Sequence, residues 1–121
     1  MEHYPSSARS LPRFPIEYPV IFGGAPFVGE GTVANMSRTG CAVLCNRTVL
    51  SGSYLHMSML LPGYDIGLLM ELCRIRWVRH HSFGVEFITL PRLGRHLLDQ
   101  AGWQRLISLL EQRSMTETTA L

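Results

Sequence analysis

Residues 31–40 read GTVANMSRTG, where a short β-forming run ends in residue types that are typical of turns. Asn35 and Ser37 carry small polar side chains, and Gly40 has unrestricted backbone freedom. Such residues suit a tight turn that holds a flat ligand. The pattern therefore predicts a strand that ends in a binding turn.

A short basic run, RSLPR at residues 9–13, lies upstream of this turn. Arg9 and Arg13 are separated by three residues that include Pro12. The proline restrains the backbone, so the two guanidinium groups can be held as a pair without a helix. Each segment alone is a common pattern, but the occurrence of both in this order is a more specific signal.

Taken in order, the two segments resemble the paired signatures of the PilZ domain, a bacterial receptor module for cyclic di-GMP. The family pattern is R-x-x-x-R at the mouth of the first strand, followed by D/N-x-S-x-x-G at the end of the second. Arg9 and Arg13 match the first signature, and Asn35, Ser37 and Gly40 match the second. The resemblance continues through CRIRWV to the closing strand FGVEF. It implies a β-barrel with a C-terminal helix, and cyclic di-GMP as ligand.

The resemblance also implies roles for the motif residues. An arginine fork can donate to guanine O6 and N7, and its plane can stack on the base. Asn35 would meet the Watson–Crick edge of guanine, more weakly than the commoner aspartate because its bonds are not charge-assisted. Ser37 would bind base or phosphate, and Gly40 would supply a left-handed conformation or a close approach. Arg38 is a further candidate for the phosphates, although a solvated side chain is an equal alternative.

Hydrophobic alternation independently predicts the strands. They fall at residues 14–22, 27–34, 41–45, 54–61, 68–79 and 83–88. Pro15 and Pro19 face outward in the first of them, which predicts an edge strand. The alternation slips by one residue near Leu72 and Cys73, which predicts a β-bulge or a sharp coiling of the strand. The outline is an all-β fold, a six-stranded antiparallel barrel that agrees with the PilZ fold.

From Pro91 the hydrophobic period becomes helical, with Thr89 as the expected N-cap. Gly102 leaves open whether this segment forms one helix or two. The predicted organisation is an N-terminal flexible arm at 1–13, the barrel at 14–88, a C-terminal helical segment at 89–113 and a polar tail at 114–121.

Composition limits the classes of function. The chain has 121 residues, 46% of them hydrophobic, and a net charge of +2, which favours one folded domain without the basic field of a general nucleic-acid binder. Its three cysteines lack metal-ligand spacing and are predicted to be reduced core residues in the cytoplasm. No signal peptide or membrane span is expected, and no metal or cofactor beyond the ligand cyclic di-GMP.

Several functions remain open at this stage. The leading hypothesis is a cyclic di-GMP receptor or adaptor, not an enzyme, whose arm orders over the ligand and changes the surface that an unidentified downstream protein reads. Alternatives are an adaptor of the same fold that binds no nucleotide, and a small barrel that binds single-stranded nucleic acid. The latter is disfavoured because Phe14, Tyr18 and Phe22 do not alternate with basic residues. The sequence leaves open whether the protein is a monomer or a homodimer, and whether it holds one ligand or two.

Overall fold

The structure is a computed structural model that describes residues 13–24, 27–61, 63 and 65–119, the last four through their backbone alone. Within this part of the chain, the barrel strands are β1 (Phe14–Gly23), β2 (Val28–Met36), β3 (Gly40–Leu44), β4 (Tyr54–Leu60), β5 (Gly67–Arg79) and β6 (Ser82–Phe87). They are followed by β7 (Arg92–Leu93), β8 (His96–Leu97) and the helix α1 (Gln100–Thr119).

The six long strands close into an antiparallel barrel. Their hydrogen-bonded order is β4-β1-β2-β3-β6-β5, and β5 pairs back onto β4. The predicted six-stranded barrel with a C-terminal helix is therefore confirmed. Alternate residues of β1 and β4 point into the core, as the sequence pattern predicts. The largest fully buried side chains are Phe22, Phe83, Met36, Met57, Met59, Leu61, Leu68, Met70, Ile75, Val20, Val33 and Val43.

The predicted bulge lies in β5. Leu55 of β4 pairs with Cys73, and Met57 pairs with Met70, so β5 carries one more residue than β4 between these pairs. Met70 and Cys73 consequently both face the core, while Glu71 and Leu72 between them are exposed. The bulge lets one long strand change direction and still keep its apolar residues inside.

The prediction that β1 is an edge strand is wrong, since β1 lies between β2 and β4. However, β4 pairs only with the second half of β1, from Val20 to Gly23. Pro15 and Pro19 lie in the first half, where the described strands pair β1 with β2 alone. Proline has no backbone N–H to donate, and this costs fewer hydrogen bonds where a strand has one neighbour than where it has two. The outward prolines therefore indicate the half of β1 that pairs with β2 alone.

The helix does not begin near Pro91, and Thr89 is not its N-cap. Residues 92–97 instead form the short hairpin of β7 and β8. In β7, Leu93 pairs with Leu68 of β5. β6 pairs with β5 only from Cys73 onward, so the first part of β5 has backbone N–H and C=O groups on that edge that β6 does not pair. β7 pairs with this part of β5. Long-range pairing thus overrides a helical spacing of leucines.

Asp99 is the N-cap of α1. The backbone N–H of Gly102 donates to its carboxylate Oδ1 at 2.7 Å, and the N–H of Trp103 donates to its backbone carbonyl at 2.9 Å. Gly102 lies in the first turn and does not divide the helix. The helix continues to Thr119, so residues 114–119 are helical where a polar tail was expected.

The inner face of α1 completes the hydrophobic core. Trp103, Leu106, Ile107 and Leu110 are buried and belong to the same cluster as the barrel interior. Further along, the Ser114 hydroxyl donates to the backbone carbonyl of Pro15 in β1. Within the described residues, no helix combines the length and the apolar character needed to cross a membrane.

Cys41 and Cys73 are free thiols inside the barrel with no exposed surface. Burial raises the pKa of Cys73 to about 12, and it raises the pKa of Cys41 further, with an added contribution from Cys73. Both therefore stay protonated and act as small apolar residues. Across the described residues, no group of three or more His, Cys, Asp or Glu side chains is placed to hold a metal ion.

The cap gives a direct test of where the helix starts. Asp99→Ala should lower the free energy of unfolding by about 1 kcal/mol, because Gly102 loses the acceptor of its N–H. Asp99→Asn keeps a capping oxygen and should remain close to the wild type. Urea denaturation measures both values, and an equal loss in the two variants would contradict this role of Asp99.

Candidate functional site

Arg13 and Asn35 join the two motif segments at one rim of the barrel. In the pairing of β1 with β2, Pro15 lies opposite Asn35, so Arg13 stands at the start of one strand beside the end of the other. The Arg13 guanidinium donates from Nη1 to Asn35 Oδ1 at 3.0 Å. Arg13 is exposed, and Asn35 is partly exposed. Arg9 lies outside the described residues.

The turn after β2 is held by its own polar groups. The Ser37 N–H donates to the Gly40 carbonyl at 2.9 Å, and the Thr39 N–H donates to Ser37 Oγ at 3.2 Å. The Ser37 and Thr39 hydroxyls also share a hydrogen bond at 3.3 Å. Ser37 is only 3% exposed, so in this form its hydroxyl shapes the turn and does not face solvent.

Gly40 opens β3 at a point of close backbone approach. A Cβ at this position would overlap the Val85 carbonyl oxygen of the neighbouring strand β6. Among the described glycines, only Gly52, Gly63 and Gly94 have a positive φ, so Gly40 does not need the left-handed region. The sequence left two roles open for Gly40, a left-handed conformation and a close approach. The structure shows the close approach, and the group approached is the backbone of β6 in the barrel.

Arg38 lies at the tip of the turn with its side chain exposed. Its backbone carbonyl accepts a hydrogen bond from the Trp103 indole Nε1 at 2.8 Å. The sequence around Trp103 does not indicate this contact, because a local pattern carries no information on a partner 65 positions away. Between the turn and the start of α1 lies a cleft of about 330 Å³, lined by Arg38, Thr39, Phe87, Ile88, Thr89, Leu90, Gln100 and Trp103.

The arginines of β5 are engaged in local contacts. Arg76 pairs with Glu86 at 3.2 Å, Arg74 lies 5.9 Å from the Tyr54 ring centroid, and Arg79 lies 4.7 Å from that of Trp77. In contrast, Arg13 and Arg38 make no ion pair with any carboxylate among the described residues. In this part of the chain, neither guanidinium is therefore neutralised by a carboxylate.

A comparison with protein families finds that the PilZ domain model matches residues 7–101, which include both motif segments and the whole barrel. Among solved structures, the Bacillus subtilis inhibitor of motility, MotI/DgrA, aligns with a TM-score of 0.66 at 16% sequence identity. The alignment covers 89% of this chain and 52% of that one, so the chain spans about half the length of the Bacillus protein. At this identity the likeness shows a shared fold. No curated protein matches the chain.

The close approach at Gly40 predicts a stability effect. Gly40→Ala should lower the free energy of unfolding by about 1–3 kcal/mol, because the added methyl group forces β3 away from β6. Gly67→Ala is the matched control, since its nearest neighbour is the Ser58 hydroxyl at 3.0 Å, a side-chain atom that can rotate away. Thermal or urea unfolding measures the difference, and equal effects would contradict the proposed contact.

Proposed function

The chain belongs to the PilZ domain family, and we propose that it is a receptor for cyclic di-GMP that works as an adaptor and not as an enzyme. The observation that carries this proposal is the hydrogen bond between Arg13 and Asn35. It places the end of the arginine motif against the start of the turn motif. A ligand that spans both motifs can therefore contact both at once.

The exposed Arg13–Asn35 bond is a contact that a guanine can replace. A hydrogen bond with one charged partner contributes about 1.5–3 kcal/mol net, and a bond from Arg13 to guanine has the same charged donor, so the exchange is not prohibitive. Asn35 Oδ1 would then accept from the N–H groups on the Watson–Crick edge of guanine. Arg13 would be free to donate to O6 and N7 or to stack on the base.

Phosphate binding would fall to Arg38. Cyclic di-GMP carries a pair of phosphodiester anions, and Arg38 projects from the turn beside Asn35 without a carboxylate partner among the described residues. Ser37 and Gly40 contribute by fixing the backbone on which Asn35 and Arg38 stand. This division separates residues that touch the ligand from residues that shape the turn.

The remaining part of the proposal concerns the output. The segment that carries Arg9 leads directly into Arg13, so its contact with the ligand would draw residues 1–12 across the rim of the barrel. The surface formed in this way would bind or release a partner protein. The structural neighbour MotI/DgrA is named for inhibition of motility, and an output through protein contact is the analogous proposal for this chain.

Arginine substitutions test the binding site directly. Arg9→Ala and Arg13→Ala should each reduce the binding free energy for cyclic di-GMP by about 1–3 kcal/mol or abolish binding, because each removes a bidentate donor to guanine. Arg76→Ala is the matched control, since its guanidinium is paired with Glu86 on the barrel wall. Isothermal titration calorimetry measures all three variants.

Two results of this titration would reject parts of the proposal. Unchanged binding in Arg9→Ala and Arg13→Ala would remove the arginine pair from the site. A folded wild-type protein that gives no heat with cyclic di-GMP and no thermal shift would reject the receptor function and favour a nucleotide-independent adaptor.

The amide at position 35 should limit affinity. Asn35→Asp should strengthen cyclic di-GMP binding several-fold, because a carboxylate accepts charge-assisted bonds from the guanine edge. The new carboxylate would also hold Arg13 more tightly in the free protein, so the gain should fall short of a full charge-assisted bond. Asn46→Asp, which adds the same charge at an exposed position after β3, is the control. Weaker binding in Asn35→Asp, measured by calorimetry, would contradict the role given to Asn35.

A further inference from the structure

We propose that α1 is a brace for the binding site and that Trp103 and Ser114 are its positioning residues. Trp103 donates to the backbone carbonyl of Arg38 in the binding turn, and Ser114 donates to the backbone carbonyl of Pro15. Pro15 lies two residues after Arg13, the residue that ends the arginine motif. One helix therefore holds the backbone of the turn motif and of β1 directly after the arginine motif. The inference rests on the proposed function and adds to it the element that supports the site.

The contact at the turn is built from two neighbouring carbonyls. Arg38 accepts from the Trp103 indole, and Thr39 accepts from the backbone N–H of Phe87 at 2.8 Å. The two residues that supply these donors also pack together, since the rings of Phe87 and Trp103 meet edge-on with centroids 6.0 Å apart. The tip of the turn is thus fixed from β6 and α1 together, which sets the direction in which the Arg38 side chain leaves the backbone.

Trp103 is itself held firmly in place. It is only 3% exposed, and its backbone N–H belongs to the first helical bond to Asp99. A buried indole N–H needs an acceptor, and here that acceptor is a peptide group of the binding turn. A phenylalanine could provide the ring packing but has no N–H to donate, so the hydrogen bond is the property that only tryptophan supplies at this position.

Coupling between the helix and the site follows from this arrangement. Any shift of the turn on ligand binding changes the hydrogen bond of Trp103, and any displacement of α1 changes the turn and the start of β1. Such coupling is reciprocal by thermodynamic linkage. Occupancy of the site and the position of α1 are therefore coupled.

Conservative variants test the brace in the 121-residue chain. Trp103→Phe keeps the ring and removes the donor, and water entering the adjacent cleft can satisfy the Arg38 carbonyl, so the variant folds. Ser114→Ala removes the second contact. Each variant should bind cyclic di-GMP about three- to tenfold more weakly by calorimetry, the effect expected of one hydrogen bond. Trp77→Phe and Ser108→Ala are matched controls on β5 and on the exposed face of α1 and should bind as the wild type does.

A spectroscopic readout separates positioning from general packing. The chain has two tryptophans, so its indole N–H signals can be assigned by Trp77→Phe and Trp103→Phe. In a ¹⁵N-labelled wild-type protein, saturation with cyclic di-GMP should shift the Trp103 indole signal and leave that of Trp77 in place. Binding of the wild type with an unmoved Trp103 signal, and equal affinity in Trp103→Phe and Ser114→Ala, would overturn the brace and leave the receptor function standing. No binding by the wild type would overturn both.

Discussion

Closure of the barrel through the pairing of β4 with β5 is the constraint on which the other features depend. β5 is long enough to pair with β4, β6 and β7, and its bulge keeps Met70 and Cys73 on the inside while the strand changes direction. Closure pairs β4 with β5, so neither of these two strands is left as an outer edge of the sheet. It also fixes β1 between β2 and β4, so the outward prolines of β1 lie where only one neighbour needs hydrogen bonds.

The rim that carries the motif residues follows from antiparallel geometry. In an antiparallel pair, the start of one strand lies beside the end of the other, and this brings Arg13 to Asn35 although the two are 22 positions apart in the chain. The turn that follows is tightened by Ser37 and is tied to β6 by Gly40. In the proposed site, the motif therefore combines residues that would contact the ligand, such as Asn35, with residues that shape the backbone, such as Ser37 and Gly40.

α1 connects the core to the rim. Its inner face buries apolar side chains against the barrel, and Trp103 and Ser114 donate one hydrogen bond each to the turn after β2 and to the start of β1. A turn of a few residues has little intrinsic rigidity, because fixing each residue opposes about 1–2 kcal/mol of backbone entropy. Support from an ordered helix reduces the part of that entropy that binding has to overcome, which is the general benefit of preorganisation.

The sequence by itself determined the alternating strands β1 and β4, the bulge in β5 and the motif segments, because burial on one face of a strand is written into every second residue. Only the tertiary structure decided that β7 pairs with β5, that the helix starts after Asp99, that Gly40 meets Val85 and that Trp103 meets Arg38. The contacts of β7, Gly40 and Trp103 join segments that are far apart in the chain, and they depend on which backbone groups remain without a hydrogen-bond partner once the strands have paired. Local periodicity carries no record of such groups, so leucines with helical spacing became a strand hairpin once β5 offered unpaired backbone.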